Sequence, residues 1–153
     1  MGAIRRLLGL AVVSASLATG CVTHAIGPAR TTSTYEHKAA ATADAARSSV
    51  ATVLLVADLA TAGDVWKPYV DVAMSEQEDA LASGTAGFAS IQPPTVESDE
   101  VRAELLALLR RTQDHVAAVR IEARRGHLDQ LTAVASPLLE DQRDLQDFIG
   151  ASS

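Results

Sequence analysis

The chain has 153 residues, and its 13 Lys and Arg against 19 Asp and Glu give a formal net charge of −6. An acidic balance of this size argues against nucleic-acid binding, which requires a basic face on the protein. The length suits a single domain with a real hydrophobic core.

The first 20 residues have the order of an export signal: a short basic segment, an apolar run from Leu7 to Ala18, and small residues before the only cysteine, Cys21. That run is too short to span a bilayer, which takes about 20 apolar residues. A lone cysteine forms no intramolecular disulfide, so the fold must depend on its core.

An ordinary free thiol is the alternative for Cys21. Arg5-Arg6 leave the twin-arginine export route open beside the general one.

The residues that end at this cysteine, Leu17-Ala18-Thr19-Gly20-Cys21, resemble the lipobox of bacterial lipoproteins. The resemblance implies that the thiol of Cys21 is diacylated and that residues 1–20 are cut away as a signal peptide. It also implies that the protein is held at the outer face of the cytoplasmic membrane. The cut would remove two of the 13 basic residues and no acidic residue, which leaves 11 against 19 and a net charge of −8. Because an anionic membrane surface repels such a body, the lipid is the expected anchor.

Residues 21–34 are predicted to be the lipidated N-terminus and a flexible tether, because Gly27, Pro28 and several threonines leave no apolar period. The first helical segment runs from about Tyr35 to Ala62 and ends at Gly63-Asp64. Its apolar run is expected to be too short for a membrane span. One side is an alanine-rich seam that allows close approach of another helix: Ala39, Ala46, Val50, Val53, Ala57 and Ala60.

The second segment runs from about Val65 to Ile91, with Pro68 in its first turn, where a missing N–H costs little. Gly84 and Gly87 each lower helix propensity by about 1 kcal/mol. We expect these glycines to allow close packing against the alanine seam, with a helix break as the alternative. The core face is predicted to hold Trp66, Val70, Ala73, Gln77, Ala80, Leu81, Gly84, Phe88 and Ile91.

A turn at Pro93-Pro94 leads into the third segment, for which Ser98 is the predicted N-cap. This segment runs to about Arg125 and is followed by Gly126, a favourable residue after a helix end. Its apolar stripe is Val101, Leu105, Leu108, Leu109, Thr112, Val116, Val119 and Ala123.

The fourth segment runs from about His127 to Phe148 and contains Pro137. The proline either kinks this helix or breaks it, in which case Ser136 becomes a new N-cap. The apolar stripe is Leu128, Leu131, Val134, Ala135, Leu138, Gln142, Leu145 and Ile149.

Four amphipathic segments with short connections predict an all-α, up-down-up-down four-helix bundle over residues 35–150. Strand signals are absent from the sequence, which has no alternating β-branched run and no Asn-Gly turn. The alanine-rich first helix and the double proline before the third resemble small exported actinobacterial lipoproteins. That resemblance implies no activity.

Motifs that carry catalytic or metal chemistry are absent from the sequence. Di-metal bundles need a Glu-x-x-His motif on each of two helices, and none occurs here. The sequence also lacks a Gly-x-Ser-x-Gly elbow and loops for phosphate, dinucleotide or calcium. We therefore predict no enzymatic activity, no metal, and no cofactor other than the lipid on Cys21. The four histidines are scattered without zinc-site spacing: His24, His37, His115 and His127.

Three polar residues interrupt the apolar stripes. Antiparallel folding about the double proline would place Gln77 opposite Thr112, and folding about the third turn brings Gln142 within about one helical turn of that level. Such a layer would fix helix register, as a buried asparagine does in coiled coils. The alternative is a polar pocket for an amphiphilic ligand, with His115 at its edge and an apolar lining of Leu108, Met74 and Leu138.

The first and third turns are expected to meet at one end of the bundle, far from the membrane if the chain is anchored at Cys21. Tryptophan, tyrosine and arginine are the usual anchors of protein interfaces. Ordinary roles, such as covering the core or complementing a helix dipole, are the alternative. The candidate partner-binding tip is Trp66, Tyr69, Arg120, Arg124 and Arg125.

Two functional hypotheses follow from the sequence. The first is a non-enzymatic, lipid-anchored bundle that interacts with a protein partner, or acts as a scaffold, in the bacterial cell envelope. The second is a binding module for a small amphiphilic or lipid ligand in the bundle core. The sequence leaves the oligomeric state open.

Overall fold

The computed structural model describes residues 29–152, which form an all-α bundle with no strand in that range. The predicted four-helix bundle is confirmed. Its fourth helical segment, which we call the fourth column, is divided into two helices. The export signal, Cys21 and the tether before residue 29 lie outside the described residues. The helices are α1 (Thr32–Ala62), α2 (Lys67–Ala89), α3 (Val96–Arg125), α4 (Leu131–Ala135) and α5 (Leu138–Ala151), with a 3₁₀ turn at Leu128–Gln130.

Two contacts between chain turns define the ends of the bundle. Thr61 Oγ1 donates to the Leu128 carbonyl at 3.1 Å, so the turns after α1 and after α3 meet, as predicted, at what we call the far end. The hydroxyl oxygens of Thr32 and Thr95 lie 3.2 Å apart, so α1 and α3 both begin at the opposite, near end.

The central element of the bundle is α1, which packs against every other helix. Its predicted alanine seam is buried and also includes Ala43. Because small side chains let helix axes approach closely, α1 also contacts α3 across the bundle.

By length and composition alone, α1 is long and apolar enough to cross a membrane. This corrects the expectation that its apolar run is too short. The core helix of a soluble protein and a signal sequence meet the same criterion, and 39% of the most apolar window is buried inside the bundle. The packing of the alanine seam gives α1 the place of a core helix in this fold.

Most stripe residues are buried, but the second helix differs from its predicted core face. Trp66 and Ala80 are exposed, whereas Met74 is fully buried. The stripe residues that are only partly buried are Gln77, Gly84, Ile91, Val101, Leu108, Leu128, Val134, Gln142 and Ile149.

The helix ends follow the predicted glycines but not the predicted N-cap. Gly63 and Gly126 have φ of 80° and 85°, a left-handed conformation that costs glycine little. The prediction of Ser98 as N-cap is wrong, because the extended Thr95 accepts the Ser98 N–H at 3.3 Å and α3 begins at Val96. Similarly, Thr31 caps α1, which begins at Thr32, three residues before the predicted start at Tyr35, so residues 32–34 of the predicted tether are helical.

The glycines of α2 are neither packing sites nor breaks. The helix is continuous from Lys67 to Ala89. A Cβ built on Gly84 or Gly87 would have no heavy atom of another packed group within 4 Å. Both alternatives from the sequence are therefore wrong, and the glycines simply weaken the helix.

Gly84→Ala is accordingly expected to raise the free energy of unfolding by about 0.5–1 kcal/mol, because alanine loses less backbone entropy and finds open space. Urea denaturation followed by circular dichroism measures this change. The matched control is Gly63→Ala, which is expected to destabilise because the backbone there has φ 80°. A loss of stability in the Gly84 variant would show that α2 packs more tightly than this structure indicates.

The fourth column is interrupted at Ser136 and Pro137. Pro137, not Ser136, is the N-cap residue of α5, and both keep right-handed helical backbone angles. The Ser136 N–H donates to the Ala133 carbonyl at 3.3 Å, a tighter bond than the α-helical pattern. The proline ring is exposed, so the break occurs without a ring in the core.

Candidate functional site

The level of α2 against α3 differs from the prediction. Three contacts put Gln77 level with about Ile121, nine residues or roughly 13 Å along α3 from Thr112. The shift arises because residues 90–95, which follow α2, continue in the direction of α2 instead of turning at once. When extended they cover up to about 20 Å before α3 begins and runs back along α2. The contacts are Gln113 Nε2 to Thr85 Oγ1 at 3.0 Å, Arg120 to Glu78, and Arg124 Nη2 to Ser75 Oγ at 3.4 Å.

The predicted polar layer of Gln77, Thr112 and Gln142 is therefore not formed. Thr112 is buried, but its hydroxyl donates to the Leu108 carbonyl of its own helix at 3.0 Å. Gln77 and Gln142 are partly exposed, and their side chains make no hydrogen bond within residues 29–152. The alternative prediction, a pocket for an amphiphilic ligand, needs the same three residues as its polar side, and they do not come together.

A different polar group joins α3 to α5, centred on Asp141, whose side chain is 1% exposed. Arg111 Nε donates to Asp141 Oδ1 at 2.8 Å, and His115 Nδ1 lies 2.6 Å from Oδ2. Arg111 Nη2 also donates to Asp144 at 2.5 Å. We call Arg111, His115, Asp141 and Asp144 the α3–α5 clamp.

The clamp supplies hydrogen-bond partners to the buried carboxylate of Asp141. A buried carboxylate without such partners lowers the stability of the fold. Each oxygen of Asp141 has one partner from α3. The hydrogen bond with Asp144 is the largest cause of a raised Arg111 pKa, with Asp141 adding to it. The guanidinium therefore stays charged, and both carboxylates hold it.

Sequence reasoning missed Asp141 because positions 141 and 142 fit the stripe between Leu138 and Leu145 equally well. The neutral Gln142 was the less costly side chain to bury. A usable signal was present in the charges: Arg111 and His115 are four residues apart on α3, and Asp141 and Asp144 are three apart on α5. Such pairs lie on one face of each helix and have complementary charge.

The His115–Asp141 pair resembles the carboxylate–imidazole arrangement that orients a general base. Because Nδ1 contacts Asp141, Nε2 is the ring nitrogen of His115 that would have to act on another group. The His115 side chain is 32% exposed. Among the described residues, no hydroxyl is hydrogen-bonded to that second nitrogen. The contacts of the clamp therefore hold α3 against α5, which is a structural role.

The aromatic residues of the candidate tip are exposed at the far end. Trp66 is 72% exposed, Tyr69 one turn later is 49% exposed, and Val72 after another turn is 57% exposed. We call these three residues the far-end surface. Large aromatics left this exposed contribute little to the core, and side chains of this type commonly anchor protein interfaces.

The three arginines of the candidate tip already have partners within the bundle. Arg120 pairs with Glu78 along the α2–α3 seam, and Arg124 reaches Ser75. Arg125 Nη1 donates to Glu122 at 2.6 Å, on the carboxylate that also bonds His127. The His127 bond, followed by the Arg125 bond, lowers the pKa of Glu122. The structure thus brings Trp66 and Tyr69 together without free arginines beside them.

Comparison with known proteins gives no match: no family model fits the chain, and no curated protein or solved structure is significantly similar to it. The class that the structure defines is an all-α four-helix bundle.

Proposed function

We propose that this protein is an exported lipoprotein whose helical bundle binds another protein of the bacterial cell envelope and catalyses no reaction. The lipid on Cys21 would hold the chain at the outer face of the cytoplasmic membrane. The far-end surface would meet the partner. The features that support this are the export signal with its lipobox and the exposure of Trp66 and Tyr69.

The geometry of the bundle suits a display role. Thr31 lies ten positions after Cys21, a reach of at most about 35 Å. From there α1, with 31 residues, extends about 45 Å to the far end. An anchor at Cys21 therefore leaves the near end beside the membrane and carries Trp66 well away from it.

The single observation that carries the proposal is the exposure of Trp66, Tyr69 and Val72 together at the end opposite the start of α1. The net negative charge supports a protein partner over the lipid surface, since anionic headgroups would repel the bundle. With the Gln77–Thr112–Gln142 layer absent, no corresponding observation favours a ligand in the core.

Trp66→Ala/Tyr69→Ala is expected to weaken partner binding by at least tenfold, because central aromatic residues contribute about 2 kcal/mol or more each. Proximity labelling in intact cells measures the loss as missing partner peptides. Val96→Ala is the matched control, since Val96 is 71% exposed at the near end. Identical labelling profiles for wild type and both variants would remove the far-end surface from the proposal.

A further inference from the structure

The seam between α3 and the fourth column contains two open grooves. The near-end groove has a volume of about 570 Å³ and an apolar floor of Ala107, Leu108 and Phe148. The carboxylates of Glu104, Asp144 and Asp147 also line this groove. The far-end groove, of about 620 Å³, includes Ala118 and Ile121 on the same helix. Two residues of the clamp, Arg111 and Asp144, line the near-end groove, and none lines the far-end groove.

Charge distinguishes the grooves. In the near-end groove, Arg111 is held by Asp141 and Asp144, whereas Glu104 and Asp147 form no ion pair with any residue in 29–152. In the far-end groove, the single carboxylate, Glu122, is bonded by both Arg125 and His127. Uncompensated negative charge beside an apolar floor is therefore a property of the near-end groove.

We propose that the near-end groove binds a cationic amphipathic helix of a partner protein. Apolar side chains of the partner pack on Ala107 and Leu108, which line the groove together with the largely buried Phe148, while its lysines or arginines pair with Glu104 and Asp147. An apolar strip between two helices is a common receptor for a third amphipathic helix. Complementary charge fixes its register, and the net charge of −6 speeds its approach. The site is independent of the far-end surface, which lies at the other end of the bundle.

The test uses the purified full chain in a nonionic detergent and a fluorescent helical peptide of leucine, alanine and lysine, about 18 residues or five turns long. Ala107→Arg fills the near-end groove with a cation and is expected to weaken peptide binding at least tenfold. Ala118→Arg makes the same change on the same helix 11 residues later, in the far-end groove, and is expected to change binding less than threefold. Both alanines are exposed helix positions where arginine is well tolerated.

Glu104→Gln/Asp147→Asn removes the two unpaired carboxylates without adding bulk and is expected to weaken binding about three- to tenfold at low salt. Equal losses in the two arginine variants would reduce the effect to overall charge and overturn the proposal. Equal binding of a peptide with glutamate in place of lysine, or no saturable binding to wild type, would also overturn it. So would a dimer that Ala107→Arg dissociates, since the groove would then belong to a second copy of the chain.

Discussion

Asp141→Ala is expected to lower the free energy of unfolding by about 3 kcal/mol, as measured by urea denaturation. Removing one member of a buried ion pair typically costs about 3–5 kcal/mol. The side chains left behind here are 44% exposed in Arg111 and about a third exposed in His115, so water can solvate them. Arg111 also keeps Asp144 as a partner. These features place the loss at the lower end of that range.

Asp147→Ala is the matched control for this experiment. It removes a carboxylate from the same helix at an exposed position with no ion pair among the described residues, so a change below about 0.5 kcal/mol is expected. Asp141→Asn should lie between the two variants, because its amide oxygen still accepts one hydrogen bond. Similar stabilities for Asp141→Ala and Asp147→Ala would show that the clamp does not hold α3 against α5.

Cys21→Ala is expected to abolish attachment to the membrane, since stable anchoring depends on at least two acyl chains and the acidic bundle has no electrostatic hold. Membrane fractionation detects the change, and intact mass shows whether residues 1–20 are removed and lipid is added. Thr23→Ala, two residues beyond Cys21, is the control and should leave attachment unchanged. Equal membrane fractions for both variants, with a free thiol on Cys21 in wild type, would contradict lipidation.

The fold was predictable because its signals are local and repeated. The alanine seam of α1, the left-handed glycines at 63 and 126, and the stripe of α3 each follow from residue spacing. The sequence does not fix a helix boundary where two capping residues compete. Thr95 and Ser98 are both good N-caps, and the extended backbone of Thr95 decides between them.

The candidate site was predictable only in part, because it depends on the relative level of helices. The double proline indicates a turn but does not reveal how far residues 90–95 run past α2 before α3 begins. That distance separates Gln77 from Thr112. It also determines that Arg120 meets Glu78. The sequence predicts Trp66 both on the core face of α2 and at the candidate tip. It is exposed because α2 begins only at Lys67, which leaves Trp66 at the N-cap, outside the helix that would have buried it.

The central claim, that the far-end surface meets a protein while Cys21 holds the near end at the membrane, is tested most directly by photo-crosslinking in native membranes. A photoreactive amino acid at Tyr69 reports on the far-end surface, and one at Val96 reports on the near end. We predict that the Tyr69 probe crosslinks to a discrete envelope protein, which Trp66→Ala abolishes, and that the Val96 probe does not crosslink to that protein. Crosslinks to lipid from Tyr69, or the same protein from both probes, would contradict the account.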